Sequence, residues 1–303
     1  MNNIKNRFSI KDLENLTGIK AHTIRIWEKR YNLLEPKRTD TNIRYYDLEN
    51  FQKLLNISFL NNNGYKISKI SKISEPEILE LVKTIAINED SNNHAINSFK
   101  LAMLNFDQKL FFKTYDSLLT EKPFSYIFHE VFVPMLNSIG ILWQTDTITP
   151  AHEHFICSLI RQKIISNTEK AHQKSVNESK KTFVLYLPDN EIHELGLLYI
   201  NYEIINNGFH SIFLGPSVPV ENLKHLQDFY NDITYISYFT IKPEKENVIQ
   251  YIETFTNEIL KSSNSKFWIL GHMLTQVNLE NLPESIKTFN SIKTLTETLL
   301  IND

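Results

Sequence analysis

Residues 182–215 read TFVLYLPDNEIHELGLLYINYEIINNGFHSIFLG, and this run decides the fold of the C-terminal half. Thr182–Leu187 is an apolar run of strand length. Leu195–Asn206 has helical apolar spacing and ends at Gly208, and His210–Leu214 is a second strand stopped by Gly215-Pro216. Outward from it the alternation continues, with a helix over Val220–Phe229, a strand over Ile233–Ser237 and a long helix over Pro243–Lys261. A strand over Lys266–Leu270, stopped by Gly271, and a final helix over about Pro283–Leu300 complete it. Strands that alternate with helices through short connections form a parallel, doubly wound sheet, which binds ligands at the carboxyl ends of its strands. In the loop after the first strand, His193 can present a ring nitrogen to a metal with a nearby acid orienting the other. Gly196 there allows close approach at the helix start. A plain surface-loop histidine is the competing reading.

Upstream, the polar stretch Gln173–Lys181 reads as a linker. Residues 76–172 read as short amphipathic helices packed in a bundle, opened at Pro76, Ser91, Asp107, Pro123 and Ala151. Between the last two lies a loop beginning Trp143-Gln144. Taken alone, Trp143 is a core aromatic, and Glu153-His154 an exposed helix start where an acid suits the helix dipole.

Residues 1–75 hold 14 Lys/Arg against 8 Asp/Glu, a net of +6, while the remainder holds 18 against 27, a net of −9. A basic segment on an acidic body points to an anionic partner for the first part alone. Ser9 is a plausible N-cap with Asp12 in capping-box position, Gly18 breaks the first helix, and a second follows over roughly Lys20–Tyr31. That pair is a helix-turn-helix, with Ile24 and Trp27 inward and Ala21, His22, Arg25 and Lys29 offered to a major groove. The following run, Pro36 to Tyr46, interleaves basic, hydroxyl and aromatic residues in the manner of a wing that grips phosphates.

The whole chain has 303 residues, a net charge of −3 and 22% charged residues, so it is no general polycation. No apolar run reaches the ~18 residues of a membrane span. The start, MNNIKNRFS, lacks the apolar region of a signal peptide, and a cytoplasmic protein is expected. The one cysteine, Cys157, excludes an intramolecular disulfide framework or a Cys-rich zinc site. Glycine numbers only 7, so each glycine invites a structural reason.

The first 75 residues resemble the winged-helix domain of the MerR family of regulators. The carriers are Ser9-Ile10, Leu16-Thr17-Gly18, Thr23-Ile24-Arg25-Ile26-Trp27-Glu28, Arg38-x-x-x-Asn42-x-Arg44-x-Tyr46 and Gly64-Tyr65-x-Ile67. The resemblance implies that His22 and Arg25 face the groove and that Arg38, Arg44 and Tyr45 hold the DNA backbone. Thr23, Lys29, Thr41 and Asn42 complete the expected DNA-binding set.

Trp143-x9-Glu153-His154 resembles the motif that caps the upper face of adenosylcobalamin in CarH-type photoreceptors. Glu191-x-His193-x-x-Gly196 resembles the signature of cobalamin-binding domains, in which the histidine is the lower cobalt ligand. The resemblance implies that Trp143 packs on the adenosyl group beside Glu153 and His154, and that His193 ligates cobalt. Two departures stand out. Gln144 replaces the histidine that binds cobalt after illumination in that family. Ser237-Tyr238-Phe239 and Gly271-His272 replace the usual Ser-x-Leu and Gly-Gly of the nucleotide-tail channel, so Ser237, Gly271 and His272 are the expected lining and a tail there needs repacking. Another tetrapyrrole, such as a bilin, could reuse a flat cavity, with His193 or Cys157 as attachment point. A buried structural thiol is the plain reading of Cys157.

The expected protein is multi-domain: a winged helix-turn-helix over 1–75, a helical bundle over 76–172, and a Rossmann-like α/β doubly wound sheet over 182–303. It would be a non-enzymatic transcriptional regulator, a repressor by resemblance, binding double-stranded operator DNA. Adenosylcobalamin would set its homo-oligomeric state, up to a tetramer in the dark, with release from DNA in light. The alternatives are a regulator that works apo or with another chromophore, and a cobalamin-dependent methyltransferase module.

Overall fold

The computed structural model describes residues 7–39, 41–88, 91–144, 148–173, 181–261, 263–277 and 282–301. They group into two compact units, Met1–Leu159 and Ile160–Asp303. Among the described residues no helix is long and apolar enough to cross a membrane.

The first unit opens with α1 (Ile10–Thr17) and α2 (Ala21–Tyr31). Ser9 caps α1 by accepting from the amide of Asp12 at 3.1 Å, and Asp12 returns the bond to the amide of Ser9 at 2.7 Å. Gly18 takes the left-handed conformation, φ 76°, that lets the chain turn sharply. The wing is a hairpin, β1 (Lys37–Arg38) antiparallel to β2 (Arg44–Tyr45), with Asn42 at φ 65° in its turn. A helix follows, α3 (Leu48–Asn62), capped by Asp47, which accepts from the amide of Asn50 at 3.0 Å. The short α4 (Ile67–Ile70) closes this part. Phe8, Leu13, Leu16, Ile24, Trp27, Phe51, Leu54 and Leu60 form its interior.

The bundle runs through α5 (Glu75–Asn88), α6 (Ser91–Asn105), α7 (Gln108–Leu119), α8 (Phe124–Ile127), a π-helical turn Phe128–Phe132, α9 (Val133–Gln144) and α10 (Pro150–His172). Stacked and edge-on phenylalanines, Phe99, Phe111 and Phe132, hold its centre. Trp143 and Gln144 are the last residues of α9, so the expected loop starts two residues later, and residues 145–147 of it lie outside the described residues.

The second unit holds a five-stranded parallel sheet in the order β4-β3-β5-β6-β7. Its elements are β3 (Thr182–Tyr186), α11 (Leu195–Asn206), β4 (His210–Gly215), α12 (Val220–Leu223), β5 (Ile233–Tyr238), α13 (Val248–Phe255), β6 (Lys266–Leu270), β7 (Ile286–Phe289) and α14 (Ile292–Ile301). Strand β3 is buried along its whole length, as a central parallel strand must be. Tyr186, Tyr235, Phe239, Phe255 and Phe267 fill one side of the sheet.

Three expectations are corrected. The segment Pro283–Leu300 is not one helix: Ile286–Phe289 pairs with β6 as a fifth strand, and the helix begins at Ile292. Val220–Phe229 is one α-helical turn continued by a 3-10 segment, Lys224–Asp228. Pro243–Lys261 splits into a 3-10 turn Lys245–Asn247, α13, and a π-helical turn Thr256–Leu260.

Candidate functional sites

The exposed face of α2 and the wing is braced by one acid toward each end of α2. Lys20 offers α2 no side-chain cap, and Glu14 supplies it instead, accepting from the amide of Ala21 and from Lys20 Nζ, both at 3.1 Å. At the other end, Glu28 accepts from Arg44 Nη1 at 3.0 Å and from the Tyr46 hydroxyl at 2.8 Å, which ties the wing to α2. Burial, then the neighbouring Glu28, raises the Tyr46 phenol above its ordinary pKa, so it stays a donor.

Ile24 and Trp27 turn inward, leaving His22, Arg25 and Lys29 exposed on one face, with Thr23 half-buried. The wing residues come together as expected, but several hold one another. Arg38 Nη1 donates to Asn42 Oδ1 at 2.8 Å and to its carbonyl at 3.2 Å. Thr41 and Thr39 share a hydroxyl contact of 2.9 Å, and the Arg7 guanidinium lies 4.9 Å over the Tyr45 ring. The sequence reading missed Glu28 as the brace. Its acidity on a basic face was the available signal.

At the start of α10, Glu153 is half-buried and His154 exposed, while the side chain of Trp143 lies outside the described residues. The buried histidine there is His152, 3% exposed and stacked on Phe106 with centroids 4.6 Å apart. Its Nδ1 takes the Thr149 amide at 3.1 Å and meets the Thr149 hydroxyl at 2.8 Å, which fixes the helix start. Cys157 is a free thiol pushed up to about 12 by burial, with Glu153 adding to the shift. A thiol held protonated in this way makes a poor attachment point.

In the second unit the centre is Glu191, fully buried at the carboxyl end of β3. Its Oε1 accepts from the amides of Ile192 and His193 at 2.9 and 3.0 Å and meets His193 Nδ1 at 2.6 Å. Its Oε2 accepts from the amides of Ile241 and Lys242, beyond β5, at 2.7 and 2.8 Å. Burial alone would raise this carboxyl, but the His193 bond and the backbone donors outweigh it and hold the pKa at about 2. The carboxylate therefore orients His193, whose side chain is 40% exposed, so that a metal would be taken at Nε2. Ile192 and Ile241, 69% and 51% exposed, flank this histidine in sequence and through the Glu191 bonds, an apolar rim that sequence reading missed.

The expected tail-channel residues are otherwise engaged. A Cβ at Gly196 would lie 2.7 Å from Tyr238 Cε2, so the close approach that glycine permits is made by a protein ring. Ser237 is buried and donates to the Tyr186 carbonyl at 2.9 Å. Gly271, at φ 125°, lets the backbone of Phe239 pass where a Cβ would lie 2.3 Å from its carbonyl oxygen. His272 is exposed and opens the 3-10 turn His272–Gln276.

Among the described residues no group of three or more His, Cys, Asp or Glu side chains is placed to hold a metal ion. One oriented imidazole with apolar neighbours fits a metal that brings its other ligands in a macrocycle, so the lower position fits a corrinoid. The Tyr238 ring packs directly against Gly196, where the resemblance expects room for a ligand.

The fold defines a class: a winged helix-turn-helix, a helical region and a five-stranded parallel sheet. The family model for MerR HTH family regulatory proteins matches residues 8–75, and that for the B12 binding domain matches residues 95–165. The two matches lie side by side in one chain, a MerR-type HTH segment followed by a B12-binding-domain segment, and together they span less than half of it. It is 29% identical over 215 residues to the HTH-type transcriptional repressor CarH of Myxococcus xanthus, covering 69% of this chain and 70% of that one. To the repressor CarA of the same organism it is 23% identical over 220 residues, covering 71% and 70%. The monomethylamine corrinoid protein of Methanosarcina barkeri shares the fold at 14% identity with a TM-score of 0.56, over 69% of this chain and 99% of that structure.

Proposed function

We propose that this protein is a cytoplasmic transcriptional repressor that binds double-stranded operator DNA through α2 and the wing and senses a corrinoid through its C-terminal half. The observation that carries the sensing reading is the Glu191–His193 pair, a buried anion holding one imidazole at the carboxyl edge of a parallel sheet. A bound corrinoid would supply a cobalt ion, which the His193 imidazole would hold. Glu191 accepts from Nδ1 and so would leave Nε2 to hold the metal. Trp143, Glu153 and His154 cover the upper face in this reading, and adenosylcobalamin is the form they suit. The dark complex is a homo-oligomer, up to a tetramer, that grips DNA through several winged helices at once, and light releases it. Losing simultaneous contacts costs about 10²–10⁴ in avidity, enough for a switch. Gln144 would not supply the imidazole that the resemblance expects at that position.

A second reading, supported by the Tyr238–Gly196 contact, is the same regulator working apo or with another tetrapyrrole such as a bilin. Absorption spectra of the full chain loaded with adenosylcobalamin, dark and illuminated, decide between them when paired with gel-shift assays on its own promoter. A corrinoid spectrum that changes with light, together with loss of the shifted DNA, is the expected result. Failure to retain corrinoid would favour the second reading.

A further inference from the structure

A cavity of about 380 Å³ lies within the first unit, where the end of α1, one face of α3 and the first turns of α6 meet. Its lining includes carboxamides from Asn15, Asn62, Asn63 and Asn97, the Ser58 hydroxyl and the Lys100 ammonium, and no carboxylate. Ser58, 7% exposed, lines this space. Lys100 reaches the Leu16 carbonyl at a long 3.4 Å and has no ion-pair partner among the described residues. Burial lowers its pKa, the mark of a cation removed from water without an anion to offset the loss. The space is therefore polar on several sides and holds one cation with no acid beside it.

We propose that this cavity binds a small polar oxyanion, a carboxylate or phosphate compound, whose charged group sits on Lys100 and whose neutral groups meet Ser58 and the asparagines. Its walls belong to two helices of the DNA reader and one of the bundle, so an occupant cross-links the reader to the bundle and couples its own concentration to DNA affinity. The inference is independent of the corrinoid reading, since none of these residues belongs to that site.

Titration calorimetry on the full chain at constant ionic strength tests it, with inorganic phosphate and malonate as separate arms and chloride as reference. The expected result is one-to-one binding of at least one of the two, and the arm that responds identifies the source of the oxyanion. Lys100→Met should weaken that binding by about tenfold or more, and Ser58→Ala by about threefold. Without anion, the thermal midpoint of Lys100→Met should match or exceed that of the unsubstituted chain, because the desolvated charge is gone. Binding of neither anion, or equal binding by both variants and the parent, overturns the proposal. A Lys100→Met chain that is less stable without anion also overturns it, by assigning Lys100 to the α1 carbonyl alone.

Discussion

His193 Nδ1 lies 2.6 Å from Glu191 Oε1, and the other oxygen of that carboxylate ties the loop after β3 to the loop after β5. One side chain therefore aims the candidate ligand and joins two neighbouring strand ends.

That arrangement fixes an acid dependence. The folded-state pKa of Glu191 is lowered from 4.5 to about 2, so the stabilisation is fully present above pH 4.5 and is lost as pH falls toward 2. A shift of this size corresponds to about 3 kcal/mol. Acid titration followed by circular dichroism should show Glu191→Gln losing stability at neutral pH and a flatter pH slope between those limits. An unchanged slope would show that the anion is not what holds the loops.

On the proposed DNA face, two kinds of contact are expected. Arg38→Ala in the wing should weaken binding about equally on all sequences and reduce the salt slope by about 1, as loss of one phosphate contact does. Arg25→Ala on α2 should relax sequence preference and cost about 1–3 kcal/mol on the best operator. Gel shifts across a salt series on specific and scrambled duplexes separate the two, and identical behaviour of the variants would refute the assignment.

Around the sheet edge, the Tyr238 ring packs against Gly196, and Gly271 lets the Phe239 backbone pass. Tyr238→Ser should increase cobalamin affinity, read by retention of the corrinoid spectrum on gel filtration, while leaving the fold intact. Gly271→Ala should cost about 3 kcal/mol or more, since the added Cβ meets backbone and φ is 125°. Tighter corrinoid binding by the unsubstituted chain than by Tyr238→Ser would show that the ring is part of the binding surface.

His94 packs edge-on against Phe59 with centroids 5.8 Å apart, and burial lowers its pKa from 6.5. Its neutral form is favoured in the folded chain, so the stability tied to it is present above pH 6.5 and is lost as pH falls through the lowered folded value. Thermal midpoints between pH 7.5 and 5 should fall more steeply for the parent than for His94→Phe. Parallel profiles would exclude His94 as the titrating group.

Local patterns carried much of this protein in one dimension. The capping box at Ser9, the turn at Gly18, the wing composition and the two spaced motifs each depend on residues within about a dozen positions, and periodicity or residue chemistry exposes them. The fifth strand was not legible, because Ile286–Phe289 is four residues with Lys287 and Thr288 facing water, too short and polar to show a strand period. The sequence suggests a loop from Trp143, whereas α9 extends through Gln144, since helix ends depend on the chain that follows.

The sequence by itself determined the order of modules, the basic reader on an acidic body, the parallel alternation and the presence of a histidine after the first strand of the sheet. These are properties of neighbours along the chain. Only the tertiary structure decided what those residues face. It set Glu191 against amides 50 residues away, the Tyr238 ring against Gly196, Glu28 across to the wing, and Lys100 beside the end of α1. Such contacts arise where distant segments compete for the same buried space, and no spacing along the chain encodes which of them will meet.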